Sequence, residues 1–159
     1  MFHGRKSAAA LAFTADDLLL AGLREVAAAH GTVFSDGIRV TPVLTIMIDA
    51  TTAAKLSASL RALVAAAGDC GKRLVLGTGV ATEPSRDERL VLALVASCQR
   101  HDRRVACAAA FHLADGGGQG GVLAAAEEIG DTLRGCSLRL CPVALSVVDS
   151  MSPMALPAV

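Results

Sequence analysis

Arg104-Val105-Ala106-Cys107-Ala108-Ala109-Ala110-Phe111-His112-Leu113-Ala114 joins a short apolar run to a cysteine and then to small residues able to begin a helix. If the backbone turns sharply between the two, Cys107 stands at a strand-to-helix corner, the geometry that presents a nucleophile to a cleft. The competing reading packs Cys107 in the interior as a small hydrophobe, the usual fate of cysteine. The segments on either side bear on the choice.

Upstream, apolar Ala8 to Phe13 reads as a strand, and Thr14-Ala15-Asp16-Asp17 offers an N-cap with acids in the first turn. The spacing predicts a helix from about Asp16 to Ala29, with Leu19, Leu23 and Val26 on its inner face. Thr32 to Phe34 and Ile38 to Val40 flank Ser35-Asp36-Gly37, a tight-turn signal, and Val43 to Ile48 continues as an apolar strand. Thr51 or Thr52 caps a second helix reaching Ala67, and Arg73 to Leu76 is a short strand running into Gly77-Thr78-Gly79. Ser85-Arg86-Asp87-Glu88 has the form of a capping box and opens a third helix ending near His101.

Val105 to Cys107 then reads as a strand with a short helix after it, Gly116 to Gly121 as a flexible loop, and Val122 to Arg134 as another helix. Ser137 to Leu140 and Ala144 to Val148 read as extended, and Ser150 to Val159 as a loose tail. Strands alternating with helices predict an α/β three-layer sandwich with a mainly parallel, flavodoxin-like sheet, one domain over 1–149 with a tail at 150–159. Such sheets place ligands at the carboxyl ends of their strands, where Gly77-Thr78-Gly79 and Cys107 would both lie.

Composition excludes several classes. Lys+Arg and Asp+Glu are equal at 15 each in 159 residues, and there are only four Phe with no Tyr or Trp, so there is no basic field and little for base stacking, and direct nucleic-acid binding is not expected. No apolar run approaches the roughly 18 residues needed to cross a bilayer, so no membrane partner is expected. His3-Gly4-Arg5-Lys6 and the alanines after it only faintly imitate a secretory signal. The five cysteines, at 70, 98, 107, 136 and 141, form no C-x-x-C pair and are odd in number, against a metal site and a closed disulfide framework. Reduced thiols in a cytoplasm, with no cofactor, are the expectation. Alanine-rich apolar helices that pack closely suggest a homodimer.

Neither glycine segment is a P-loop, since no G-x-x-x-x-G-K-[ST] occurs. Gly77-Thr78-Gly79 reads either as a tight turn or as backbone donors cradling an anion.

At four places the chain resembles the ThiJ/PfpI branch of the class I glutamine-amidotransferase-like superfamily, and most the amidase-like sensor domain of AraC-type transcription regulators. Cys107 to Ala114 resembles the elbow C-T-G-A-F-L-L-A, and Leu20-Ala21-Gly22-Leu23-Arg24-Glu25-Val26 resembles L-A-G-P-L-E-V. Thr32 to Pro42 resembles P-V-R-T-S-D-G-L-R-V-x-P, and Pro142 to Asp149 resembles P-D-A-L-F-V-D-D. The resemblance implies that Cys107 is the elbow cysteine and Glu25 the acid reaching its thiol. It further implies that Gly77, Thr78 and Gly79 lend backbone donors, with Ala108 and His112 beside the bound small-molecule ligand. On the residues alone, Glu25 reads as a solvated helix-face glutamate.

The departures shape the functional expectation. Hydrolytic members carry a histidine directly after the cysteine, where this chain has Ala108, and His112 lies about 140° further round an ideal helix. These points favour a small-molecule or redox sensing domain without its own DNA reader over turnover. The alternatives are a cysteine-dependent hydrolase or hydratase of the same superfamily, and an interaction domain switched at Ser85. The latter rests on the similarity of Ile48 to Leu56 and Leu74 to Val105 to the sulfate-transporter and anti-sigma-antagonist domain.

Overall fold

Thr14 and Asp17 cap each other's backbone: Asp17 Oδ2 accepts from Thr14 N at 3.0 Å, and Thr14 Oγ1 accepts from Asp17 N at 3.2 Å. This reciprocal cap satisfies two N–H groups that a helix start leaves unpaired and launches α1, Ala15–Ala29. The computed structural model describes residues 14–29, 44–77, 83–115 and 117–151. A 3₁₀ turn at Leu44–Ile46 leads to α2, Ala50–Asp69, whose N-cap Asp49 accepts from Thr52 N. Next come α3, Arg86–Arg100, and α4, Arg103–Leu113. They are followed by α5, Gln119–Gly135, and the short α6, Leu145–Ser150.

Helix packs on helix throughout. α5 lies against both α2 and α3, α3 and α4 form a hairpin, α1 rests mainly on α2, and α6 leans on α4. Leu19 and Leu23 of α1, Leu60 of α2, Leu94 of α3 and Ile129 and Leu133 of α5 are sealed from solvent in one core. Each such side chain stabilises the fold by roughly 1.5–3 kcal/mol through area removed from water. Gly22 lets α1 approach closely, since a Cβ there would stand 2.9 Å from Leu44 Cδ2 and 3.1 Å from Leu60 Cδ1.

Both ends of α3 bind non-helical chain. At its start Asp87 and Glu88 hold residues 75–77, and at its end the buried Gln99 side chain donates to Leu138 O at 2.8 Å and accepts from Leu140 N at 2.9 Å. Arg100 adds a bond to Leu140 O at 2.8 Å. These side chains supply the partners that a neighbouring strand would otherwise provide.

The expected α/β sandwich with a parallel, flavodoxin-like sheet is therefore overturned: among the described residues there is no strand. Val105 to Cys107, expected as a strand, is the first part of α4, because Asp102 accepts from Val105 N and caps the helix there. The buried set Val105, Ala106, Ala109, Ala110 and Leu113 has helical spacing. Leu44–Ile46 is a 3₁₀ turn, and most of expected strand Ala144 to Val148 is α6. Residues 73–76 and 137–140 are non-helical as expected but pair with side chains of α3 instead of a ladder. The glycine loop ends sooner than expected, since α5 begins at Gln119, with Gly118 in the left-handed region at φ 70°. The expected strand at 8–13, the Asp36-Gly37 turn, Thr78, Gly79 and residues 152–159 lie outside the described residues.

Candidate functional site

The Ser85-x-x-Glu88 box at the start of α3 is closed in both directions: Ser85 Oγ accepts from Glu88 N at 3.1 Å, and Glu88 Oε2 accepts from Ser85 N at 2.8 Å. Glu88 does more than cap. Its fully buried carboxylate also accepts from Gly77 N at 2.9 Å and from Arg24 of α1, Nε to Oε1 at 2.6 Å and Nη2 to Oε2 at 2.9 Å. Burial alone would raise the Glu88 pKa, yet the Arg24 bonds and the Ser85 and Gly77 amides outweigh it and hold the carboxyl below its usual range. Glu88 is thus favoured as an anion, with both oxygens accepting from donors.

Asp87, also buried, accepts from Val75 N at 2.8 Å and lies 3.6 Å from Lys72 Nζ, while Ser85 Oγ donates to Val75 O at 2.5 Å. Lys72 in turn donates to His112 O at 2.9 Å and lies 3.5 Å from Asp115. The first turn of α3 therefore clamps residues 72–77 through Val75 and Gly77. Leu74 and Leu76, between and beside them, pack their side chains on the core, and Val75 stays exposed.

The other side of this segment lines an open groove of about 890 Å³. Ala27 and Ala28 at the end of α1, Val64 and Ala65 of α2, and Leu74 and Leu76 provide its apolar surface. Arg24, Lys72 and Arg73 stand around it, with Asp69 opposite in charge. Arg24 and Lys72 are neutralised by Glu88, Asp87 and Asp115. Arg73 is exposed and has no ion-pair partner among the described residues.

The residues singled out from sequence do not assemble there. Cys107 is the fifth residue of the continuous helix α4, so the expected bend is absent. It is half-buried and lines a separate cavity of about 510 Å³ between α3, α4 and α5, with Cys98, His101, Glu127 and Asp131. There Cys98 is pushed up to about 11 by burial and then by the nearby Glu127 and Asp131 carboxylates, so this thiol keeps its proton at neutral pH. Glu25 lies on α1, away from that cavity. Its Oε2 is buried with no hydrogen-bond partner among the described residues, and burial raises its pKa.

Ala108 and His112 follow Cys107 on α4, and His112 contributes its backbone oxygen to Lys72. Among the described residues, Gly77 is the one expected binding residue that borders the groove, and its N–H is already given to Glu88. Sequence reasoning passed over Arg24, one position before the residue it chose, together with Lys72 and Asp87. The capping box was a signal for Glu88, whereas nothing local announces an ion pair 64 residues apart.

The sensor, hydrolase and anti-sigma-antagonist readings all require a sheet, and the helical architecture overturns them. Ser85, the expected switch, is bound on both sides as a cap and as a donor to Val75. No helix among the described residues is long and apolar enough to cross a membrane, and no group of three or more metal-ligating side chains converges among them. Comparison with protein-family models, with curated proteins and with solved structures finds no match.

Proposed function

We propose that this chain is a non-catalytic binding domain whose groove between α1, α2 and residues 72–77 receives a segment of another polypeptide. One observation carries the reading: the polar centre beside the groove is spent on its own contacts, Glu88 on four donors and Lys72 on three acceptors, while the apolar surface stays open. A catalytic site needs a group free to take a proton or attack, and this polar centre offers none. It offers rigidity, which lowers the ordering cost of binding. Along one wall, Lys72 to Gly77 would extend about 17 Å at ~3.3 Å per residue, enough to accompany five or six residues of a partner.

The intact chain is titrated into fluorescein-labelled octapeptides of alternating Val and Thr with Glu at one end, and fluorescence polarisation is read. Saturable binding that Ala65→Trp abolishes, with the helical circular dichroism unchanged, is the expected result. No saturable binding up to about 1 mM, equivalent to only ~4 kcal/mol, contradicts the reading.

A further inference from the structure

We infer that the partner segment enters this groove as an added strand, paired through main-chain hydrogen bonds with Leu74 and Leu76 and set in register by a carboxylate on Arg73. The inference rests on the proposed binding role and specifies how the partner is recognised.

The hydrogen bonds of residues 74–77 alternate. Val75 donates its N–H to Asp87 and accepts at its C=O from Ser85 Oγ, and Gly77 donates its N–H to Glu88, so the residues turned to α3 are two apart. Two is the period of an extended chain, in which the N–H and C=O of the intervening residues face the other way. Leu74 and Leu76 are those residues, and both border the groove. Among the described residues, neither has a hydrogen-bond partner for its N–H or C=O. The segment is therefore an edge with one side already satisfied by a helix terminus and the other bare. Bare edges of this kind pair with extended peptides, the main chain giving affinity and alternate side chains giving specificity.

Three features narrow the occupant. Ala27, Ala28 and Ala65 line the groove with small side chains, which suits modest partner side chains such as Val or Thr at every second position. Among the described residues Arg73 is the one cation bordering the groove without an acid partner, so an acidic residue at that end of the segment can pair with it. A helical ligand would leave the Leu74 and Leu76 backbone groups unmatched, since its own N–H and C=O groups are paired internally.

The same labelled Val/Thr octapeptides test the mode. N-methylation, one residue at a time, removes a donor without changing charge. Binding is expected to fall about tenfold at every second position and to change less than about twofold at the positions between. Arg73→Glu is expected to reverse the preference between peptides ending in Glu and in Lys. Binding that Ala65→Trp abolishes but that responds equally to N-methylation at all positions, or with a three-to-four-residue period, overturns the strand mode and leaves the groove intact as a binding site. Failure of every peptide to bind overturns both.

Discussion

Replacing Glu88 with Gln probes the centre of the domain, because the two side chains have nearly the same shape and differ in charge and acceptor count. The carboxylate accepts from four donors: Arg24 Nε, Arg24 Nη2, Gly77 N and Ser85 N. A glutamine keeps one oxygen, so if it replaces Oε1 the Arg24 Nε and Gly77 bonds survive, while Arg24 Nη2 and Ser85 N then face an NH₂ group. Two hydrogen bonds and the negative charge that Glu88 places beside Arg24 are lost together. Breaking one side of a buried ion pair costs about 3–5 kcal/mol, a large share of the roughly 5–15 kcal/mol that holds a domain folded.

In urea, with a slope near 2 kcal/mol/M, the E88Q midpoint is expected to fall by about 1.5–2.5 M. Arg24→Met should cost a similar amount, and the double variant less than the sum by about 2 kcal/mol. The pH dependence has a fixed sign. Glu88's pKa is lowered by folding, so its contribution is present above the ordinary glutamate value near 4.3 and is lost as the pH falls through the lowered value. Wild type and E88Q should therefore converge in acid. An E88Q midpoint close to wild type at pH 7, or strict additivity of the two substitutions, would refute the clamp.

Other consequences are more local. Gly118→Ala forces a side chain into a φ of 70° with its Cβ 2.6 Å from Cys70 Sγ, a loss of about 2 kcal/mol that Cys70→Ala should partly restore in denaturation curves; an effect independent of residue 70 would speak against that contact. Cys98, held near 11 by burial, Glu127 and Asp131, should be the thiol whose iodoacetamide labelling rises most between pH 8 and unfolding conditions, as read by peptide mass. Glu25→Gln should raise the melting temperature at pH 7, by the equivalent of about 1 kcal/mol. Burial raises the Glu25 pKa, so the ionised form opposes folding as the pH rises through that value, and the gain should vanish near pH 4.

Two helix starts are legible from their side-chain caps, whereas α2 is capped by Asp49 and not by the expected Thr51 or Thr52. Thr14 with Asp17 and Ser85 with Glu88 placed the starts of α1 and α3 within a residue, and leucines at helical spacing placed α2. The strands failed for a common reason: three to five apolar residues, as at Val105 to Cys107 or Ala144 to Val148, fit a buried strand and one helical turn equally well. Asp102, three residues before Val105, was the local signal that could have decided the first of these, since it caps α4. Cys107 drew attention through its neighbours' likeness to an elbow, but a helix begun four residues earlier removes the bend on which that reading depended. The Arg24–Glu88 pair and the groove were not legible, because both are made by α1 packing beside residues some 36 to 64 positions later, a relation no local pattern encodes.

Amide hydrogen exchange at residues 74 to 77 tests the clamped segment most directly. Val75 and Gly77, which donate to Asp87 and Glu88, are expected to exchange slowly, whereas Leu74 and Leu76 exchange near the open-chain rate until a peptide is added and then become protected. Uniform exchange across the four amides, whether fast or slow, would contradict a segment held on one edge and open on the other.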